Sequence, residues 1–192
     1  MGAVHDSISP QLASWIAAQP VVFVGTAPRA DDGRINISPK GLDLLRVLDE
    51  RTVGYVDLIG SGIETYAHLR ENGRITLMWC AFTGPPKVLR IHGRGEPVFR
   101  DDPRWPELIG HFAAADGPGA RAIVLVHATM VSDSCGFAVP FMDYREERSQ
   151  HAEYFGRKSE AEFAAYCARK PHNEASIDGL PALPLPLPGR TA

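Results

Sequence analysis

From Arg34 to Ser38 the side chains alternate, with Ile35 and Ile37 on one side and Arg34, Asn36 and Ser38 on the other. This predicts a strand with one face in the core and one polar face. Upstream, Val21 to Thr26 reads VVFVGT, β-branched and aromatic, and Asp31-Asp32-Gly33 turns the chain between the two, so the pair predicts a hairpin. Before it, Ser9-Pro10 marks a helix start, and Leu12, Trp15 and Ile16 share one helical face that would seal an end of the core. Further on, Arg46 to Leu48 suits a short strand, Asp49 to Thr52 a turn, and a strand begins at Val53.

Tyr55 to Phe82 carries the most information: a strand, a Gly/Ser turn, a short amphipathic helix, a second Gly turn and another strand. Ser61 followed by Glu64 has the spacing of a capping box. Ile63, Tyr66 and Ala67 share a helical face, and Asn72-Gly73 supplies the left-handed stop. The start of such a helix offers backbone N–H groups and the positive pole of its dipole, which suits a phosphate oxygen; the same pattern also describes a plain strand-helix-strand connection.

Gly84-Pro85-Pro86 then joins the strand at Thr76 to Phe82 to another at Lys87 to His92, and Gly93 and Gly95 permit a strand bend. Asp102-Pro103 opens a helix through Phe112, and Ala122 to Val131 is a strongly apolar closing strand. Hairpin-joined strands with few helices predict a mainly β, α+β fold: an antiparallel barrel with peripheral helices. Beyond Tyr144 the pattern turns helical, with Ser159 and Glu162 repeating the capping-box spacing before Phe163, Tyr166 and Cys167. The tail Pro181 to Pro188 reads as extended, either docked along a groove by its leucines or frayed.

A length of 192 residues with 44% hydrophobic content suits one domain over 1–192, the barrel at about 20–132 and a helical segment with its tail at about 144–192. A formal net charge of −3 with scattered basic residues argues against a nucleic-acid partner. The first residues do not read as a secretory signal and no apolar run reaches membrane-spanning length, so a cytoplasmic protein with no membrane association is expected. Cys80, Cys135 and Cys167 fit neither a disulfide framework nor a zinc site.

Among residues that could carry chemistry, Lys40 follows Pro39, where the strand is expected to break and leave the lysine aimed at a ligand. His92 and Arg90 alternate on the polar side of their strand; His68 reads as a surface or helix-packing residue, Cys135 as a small packed thiol, and Trp79 and Phe82 as core. No nucleophile elbow and no P-loop occur.

The motifs GRINISPKG (33–41), YVDLIGSG…ET…HLRENGRIT (from Tyr55) and PPKVLRIHGRG (85–95) resemble those of the pyridoxamine 5′-phosphate oxidase-like proteins with the FMN-binding split barrel. The segments SCGFAVP (134–140) and SIDGLP (176–181) look like those of a branch distinct from the vitamin B6 oxidases. The resemblance implies a six-stranded split barrel, a homodimer and FMN in the groove between subunits. It also implies Asn36, Ser38 and Lys40 as flavin or phosphate contacts, and Ser61, Gly62 and Thr65 as the phosphate turn. Where the B6 oxidases have an Arg-Lys pair after the serine, this chain has Gly62, Ile63 and then Glu64, an anion at the helix start. Lys40, Lys87 or Arg90 must then supply the missing positive charge; otherwise FMN binds weakly or another cofactor takes the groove, F420 and haem being the alternatives. The activity implied is an FMN-dependent oxidoreductase acting on a small organic substrate or a reduced nicotinamide; the rival is a non-enzymatic flavin- or haem-binding protein.

Overall fold

The computed structural model describes residues 2–60, 62–112, 119–168 and 175–182. In chain order the elements are β1 (Val4–His5), α1 (Pro10–Ala17), β2 (Val22–Thr26), β3 (Asn36–Lys40), β4 (Leu45–Val47) and β5 (Thr52–Leu58). There follow α2 (Glu64–Asn72), β6 (Arg74–Cys80), β7 (Val88–Phe99), α3 (Trp105–Ile109), β8 (Ala120–Ser134), α4 (Gln150–Gly156) and α5 (Glu160–Ala168).

The strands form one antiparallel sheet in the order β3-β2-β6-β7-β8-β5-β4, with β1 also on β8. In a flat sheet, β3 and β5 would stand about 24 Å apart, five steps at the usual interstrand spacing. Yet Lys40 of β3 lies 2.7 Å from Asp57 of β5, so the sheet has curled round on itself. This is the split barrel, with eight strands rather than six; two of them, β1 and β4, are only two and three residues long.

Local chemistry explains the elements. Ser9 caps α1 by accepting from the Leu12 N–H at 3.2 Å, Pro10 fills the first turn, and Leu12 and Ile16 are buried. Gly73, at φ 70°, ends α2 with its N–H on the Leu69 carbonyl. The bend in β7 falls where expected: a Cβ on Gly93 would stand 2.4 Å from the His127 carbonyl oxygen, and the β7–β8 register shifts there. Ser159 and Glu162 form the reciprocal capping box at α5, with N–H bonds of 2.8 and 3.3 Å, and Phe163 and Tyr166 pack against Phe155 and Ile59.

Other expectations give way. Helix α2 begins after Ile63 with no side-chain cap, so Glu64 belongs to its first turn and not to a box with Ser61, which lies outside the described residues. β3 runs through Pro39 to Lys40, because it is an edge strand and Pro39 has no ladder donor to lose there. Its faces are reversed: Ile35 and Ile37 are 73% and 68% exposed, while Asn36, Ser38 and Lys40 turn inward. Of the tail, Ala182 is buried in the main core and 183–188 lie outside the described residues.

The main core fills the barrel with Val24, Tyr55, Leu77, Trp79, Leu89 and Val124, and α1 and α2 close over it. A second cluster lies under α3, where Trp105, Ile109 and Phe112 pack on Val56, Val98 and Ile123. Residues 53–57 of β5 are therefore buried on both faces. Among the described residues no helix is long and apolar enough to cross a membrane.

Candidate functional site

The inward face of β3 and the start of α2 border a cavity of about 240 Å³. At its base lies Asp57, 3% exposed, on the all-buried strand β5. Four donors reach its carboxylate. Lys40 Nζ donates to Oδ1 at 2.7 Å; Arg121 donates to Oδ2 from Nε at 3.0 Å and Nη2 at 2.5 Å; and the Tyr66 hydroxyl donates to Oδ2 at 3.0 Å. Burial pushes the Asp57 carboxyl up, but Arg121 and Lys40 outweigh it and hold it below its ordinary value. Burial, then the Asp57 charge, raises Tyr66 well above the usual phenol range, so it stays a neutral donor.

Arg121 is itself buried, its guanidinium 4.8 Å over the Tyr66 ring and donating to the Gly62 carbonyl at 3.1 Å. The guanidinium thus joins β5, Gly62 and α2. Asp57 in turn fixes two cations in one place, a geometry that prepares the site for an anion with little reorganisation.

A second network lines the β3 wall. The Asn36 amide nitrogen donates to the hydroxyls of Thr26 and Thr65, both at 3.3 Å, and its oxygen accepts from Ser38 at 3.2 Å. Asn36 is therefore a strut between hydroxyls as much as a ligand contact. Behind it, Thr26 Oγ1 is 2.9 Å from His68 Nδ1. Of the two places expected for it, His68 takes the helix-packing one: it is fully buried, among the described residues its Nε2 has no hydrogen-bond partner, and burial pushes its pKa down. Helix α2 packs on β2, β6 and β7, which accounts for five consecutive buried residues, Thr65 to Leu69.

The structure therefore brings Asn36, Ser38, Lys40, Gly62 and Thr65 to one cavity. Lys87 and Arg90 are elsewhere: Lys87 Nζ lies 5.3 Å over the Trp15 ring, and Arg90 donates to the Ser134 hydroxyl at 3.1 Å. His92 pairs with Thr76, Nδ1 to Oγ1 at 3.0 Å. Cys135 is exposed, not packed. The 134–144 loop borders a different cavity of about 350 Å³, lined by Phe82, Met142, Tyr144 and Glu147 among others. Among the described residues no cluster of His, Cys, Asp or Glu could hold a metal.

Asp57 and Arg121 do not stand out in the motifs. Their one trace in the sequence is a charge beside an apolar run in each of two strands, Asp57 after YV and Arg121 before AIVLV, of opposite sign, and these strands turn out to be neighbours.

Residues 8–135 match the family model described as pyridoxamine 5′-phosphate oxidase. The pyridoxamine 5′-phosphate oxidase family protein ustO of Aspergillus flavus is 36% identical over 197 residues, covering 95% of this chain and 78% of that one. Among solved structures, HupZ of Group A Streptococcus is 20% identical over 65% of this chain and 91% of its own, with a TM-score of 0.52. A Lactobacillus delbrueckii protein, itself provisionally assigned as a pyridoxamine 5′-phosphate oxidase, is 19% identical over 66% and 94%, with a TM-score of 0.51. At these identities the two structures speak for the fold.

Proposed function

Because this chain belongs to the pyridoxamine 5′-phosphate oxidase family, we propose that it is a cytoplasmic FMN-dependent oxidoreductase acting on a small organic substrate or a reduced nicotinamide. The observation that carries this reading is the Asp57-centred pair of cations beside the 60–65 turn. A phosphate needs N–H and O–H donors with positive charge, and Lys40, Arg121, Ser38 and Thr65 are that set. Lys40 has three N–H donors and spends one on Asp57 among the described residues, which leaves donors for a second anion. The flavin ring, when bound, supplies the hydride chemistry. The chain's own share is binding, orientation and the exclusion of water; Asp57 is saturated with donors and is not a general base.

Haem fits less well. Its iron takes a His, Cys, Met or Tyr ligand, and among the described residues the lining offers only Tyr66, whose hydroxyl is committed to Asp57. F420 also carries phosphate and meets the same donors.

A homodimer is part of the proposal. Ile35 and Ile37 are exposed on the outer face of the strand whose inner face lines the cavity. At about 240 Å³ the cavity falls short of the roughly 300–1,000 Å³ common for ligand sites, so a second copy over that strand would add a wall.

Purified protein tests this reading by visible absorption and by titration with FMN, F420 and haem in parallel. The expected result is flavin absorbance that bleaches on adding reduced nicotinamide. A colourless protein that takes up no FMN would overturn it, and a flavin that is held but never reduced would make the protein a flavin carrier.

A further inference from the structure

Residues 175–182 form a strap in which each polar group of the SIDGLP motif has a task. Ser176, 7% exposed, accepts at Oγ from the N–H groups of Asp178 and Leu180, at 3.2 and 3.1 Å. Its own N–H donates to the Leu180 carbonyl, Gly179 turns the chain at φ 77°, and Ala175 bridges to Pro181. Leu180 and Ala182 anchor the strap in the main core.

Two connections leave this frame in different directions. Asp178 accepts from the Arg34 backbone N–H at 2.7 Å and pairs with the Arg34 guanidinium, two residues before β3. The Ile177 N–H donates to Glu64 Oε1 at 3.0 Å, at the first residue of α2. β3 and the start of α2 are opposite sources of the cavity lining, Ser38 and Lys40 from one, Glu64 and Thr65 from the other. The strap ties one to the other. It also fixes the carboxylate that would repel a phosphate: among the described residues the buried Glu64 Oε2 has no hydrogen-bond partner, and the Ile177 N–H donates to Oε1.

We propose that the 175–182 strap is a positioning element of the ligand site: it sets the spacing between β3 and the start of α2, and restrains Glu64, so that FMN is retained while the strap is docked. This extends the flavin reading and rests on it. The strap acts through β3 and α2 and does no chemistry.

Asp178→Ala removes the β3 connection. The Arg34 side chain is 67% exposed, so the variant should fold and melt close to wild type. Arg34→Ala, which breaks the same pair from the solvent side, serves as the second variant. In Asp178→Ala FMN should dissociate about tenfold faster, the scale of one hydrogen bond to a charged group, and in Arg34→Ala, which keeps the backbone N–H bond to Asp178, by a smaller factor. In the ligand-free variants, hydrogen exchange at the amides of residues 64–66 should quicken while that of β7 and β8 stays as in wild type. The double variant should dissociate no faster than the faster single one. An unchanged FMN off-rate in both single variants, or unchanged exchange at 64–66, would overturn the strap's role while leaving the flavin reading intact. Wild-type protein that takes up no FMN would overturn the flavin reading and this extension with it.

Discussion

Replacing Asp57 with Asn keeps the shape of the side chain and removes its charge. Arg121, with a side chain 7% exposed, and Lys40, 23% exposed, would then face each other without the carboxylate between them. Breaking a buried pair in this way costs about 3–5 kcal/mol, because the remaining charge stays desolvated. That is a large share of the roughly 5–15 kcal/mol by which domains of this kind are stable. Urea denaturation followed by tryptophan fluorescence, to which buried Trp79 and Trp105 contribute, reads the loss directly. With a slope of about 2.5 kcal/mol/M, the midpoint should fall by about 1.5 M. The sign of the pH dependence follows from the depressed folded-state pKa of Asp57. Its contribution is complete above the unfolded value of about 3.9 and is lost as the pH falls through the folded value. Asn does not titrate. The gap between wild type and D57N should therefore be constant from neutral pH to about 5 and should narrow below about 4. A gap under about 1 kcal/mol at pH 7, the size of a surface pair, or one that does not narrow in acid, would refute the assignment of Asp57 as the buried hub.

Lys40→Ala should weaken FMN binding by about 1.5–3 kcal/mol, measured by titration; unchanged affinity would remove Lys40 from the phosphate site. Glu64→Gln keeps an acceptor for the Ile177 N–H and removes the competing anion, so FMN should bind tighter by about 0.3–1 kcal/mol, and weaker binding would contradict the view of Glu64 as a repelling charge. Ile37→Lys places a charge on the exposed outer face of β3, and light scattering should show a monomer where wild type is a dimer; a wild-type monomer that holds FMN would contradict the shared groove.

Elements with short-range signals were legible in the chain. Ser9-Pro10, Asn72-Gly73 and Ser159–Glu162 each set a helix end through groups no more than a turn apart, and all three act as their spacing predicts. The alternation in β3 correctly grouped Asn36 with Ser38, yet it could not say which group faces inward. A period of two assigns residues to faces, and the usual rule that the apolar face is the inner one fails here because the space enclosed is a polar cavity. For His68 the pattern allows a surface or a helix-packing place, and the second is the one observed: a helix surrounded by β2, β6 and β7 has little solvent face for a polar residue to mark. Asp57 and Arg121 are 64 positions apart, and they meet only because β5 and β8 pair in a register that sets Asp57 opposite Ala122. No local spacing encodes that register.

The same pair explains why the barrel is split where the cavity lies. A sheet closes fully when its end strands exchange backbone hydrogen bonds, and then nothing enters between them. Here, among the described residues, β3 ladders with β2 alone, and its approach to β5 is made by the Lys40–Asp57 ion pair. Side chains are longer than a ladder bond, so closure through them leaves a gap between the strands. The groups that bridge this gap are a charged pair, each satisfying the other where an unpaired polar group would be costly. Opening and charge thus meet at one place: the lysine that ties β3 to Asp57, and the arginine that shares that carboxylate, are the groups placed to meet an anionic ligand.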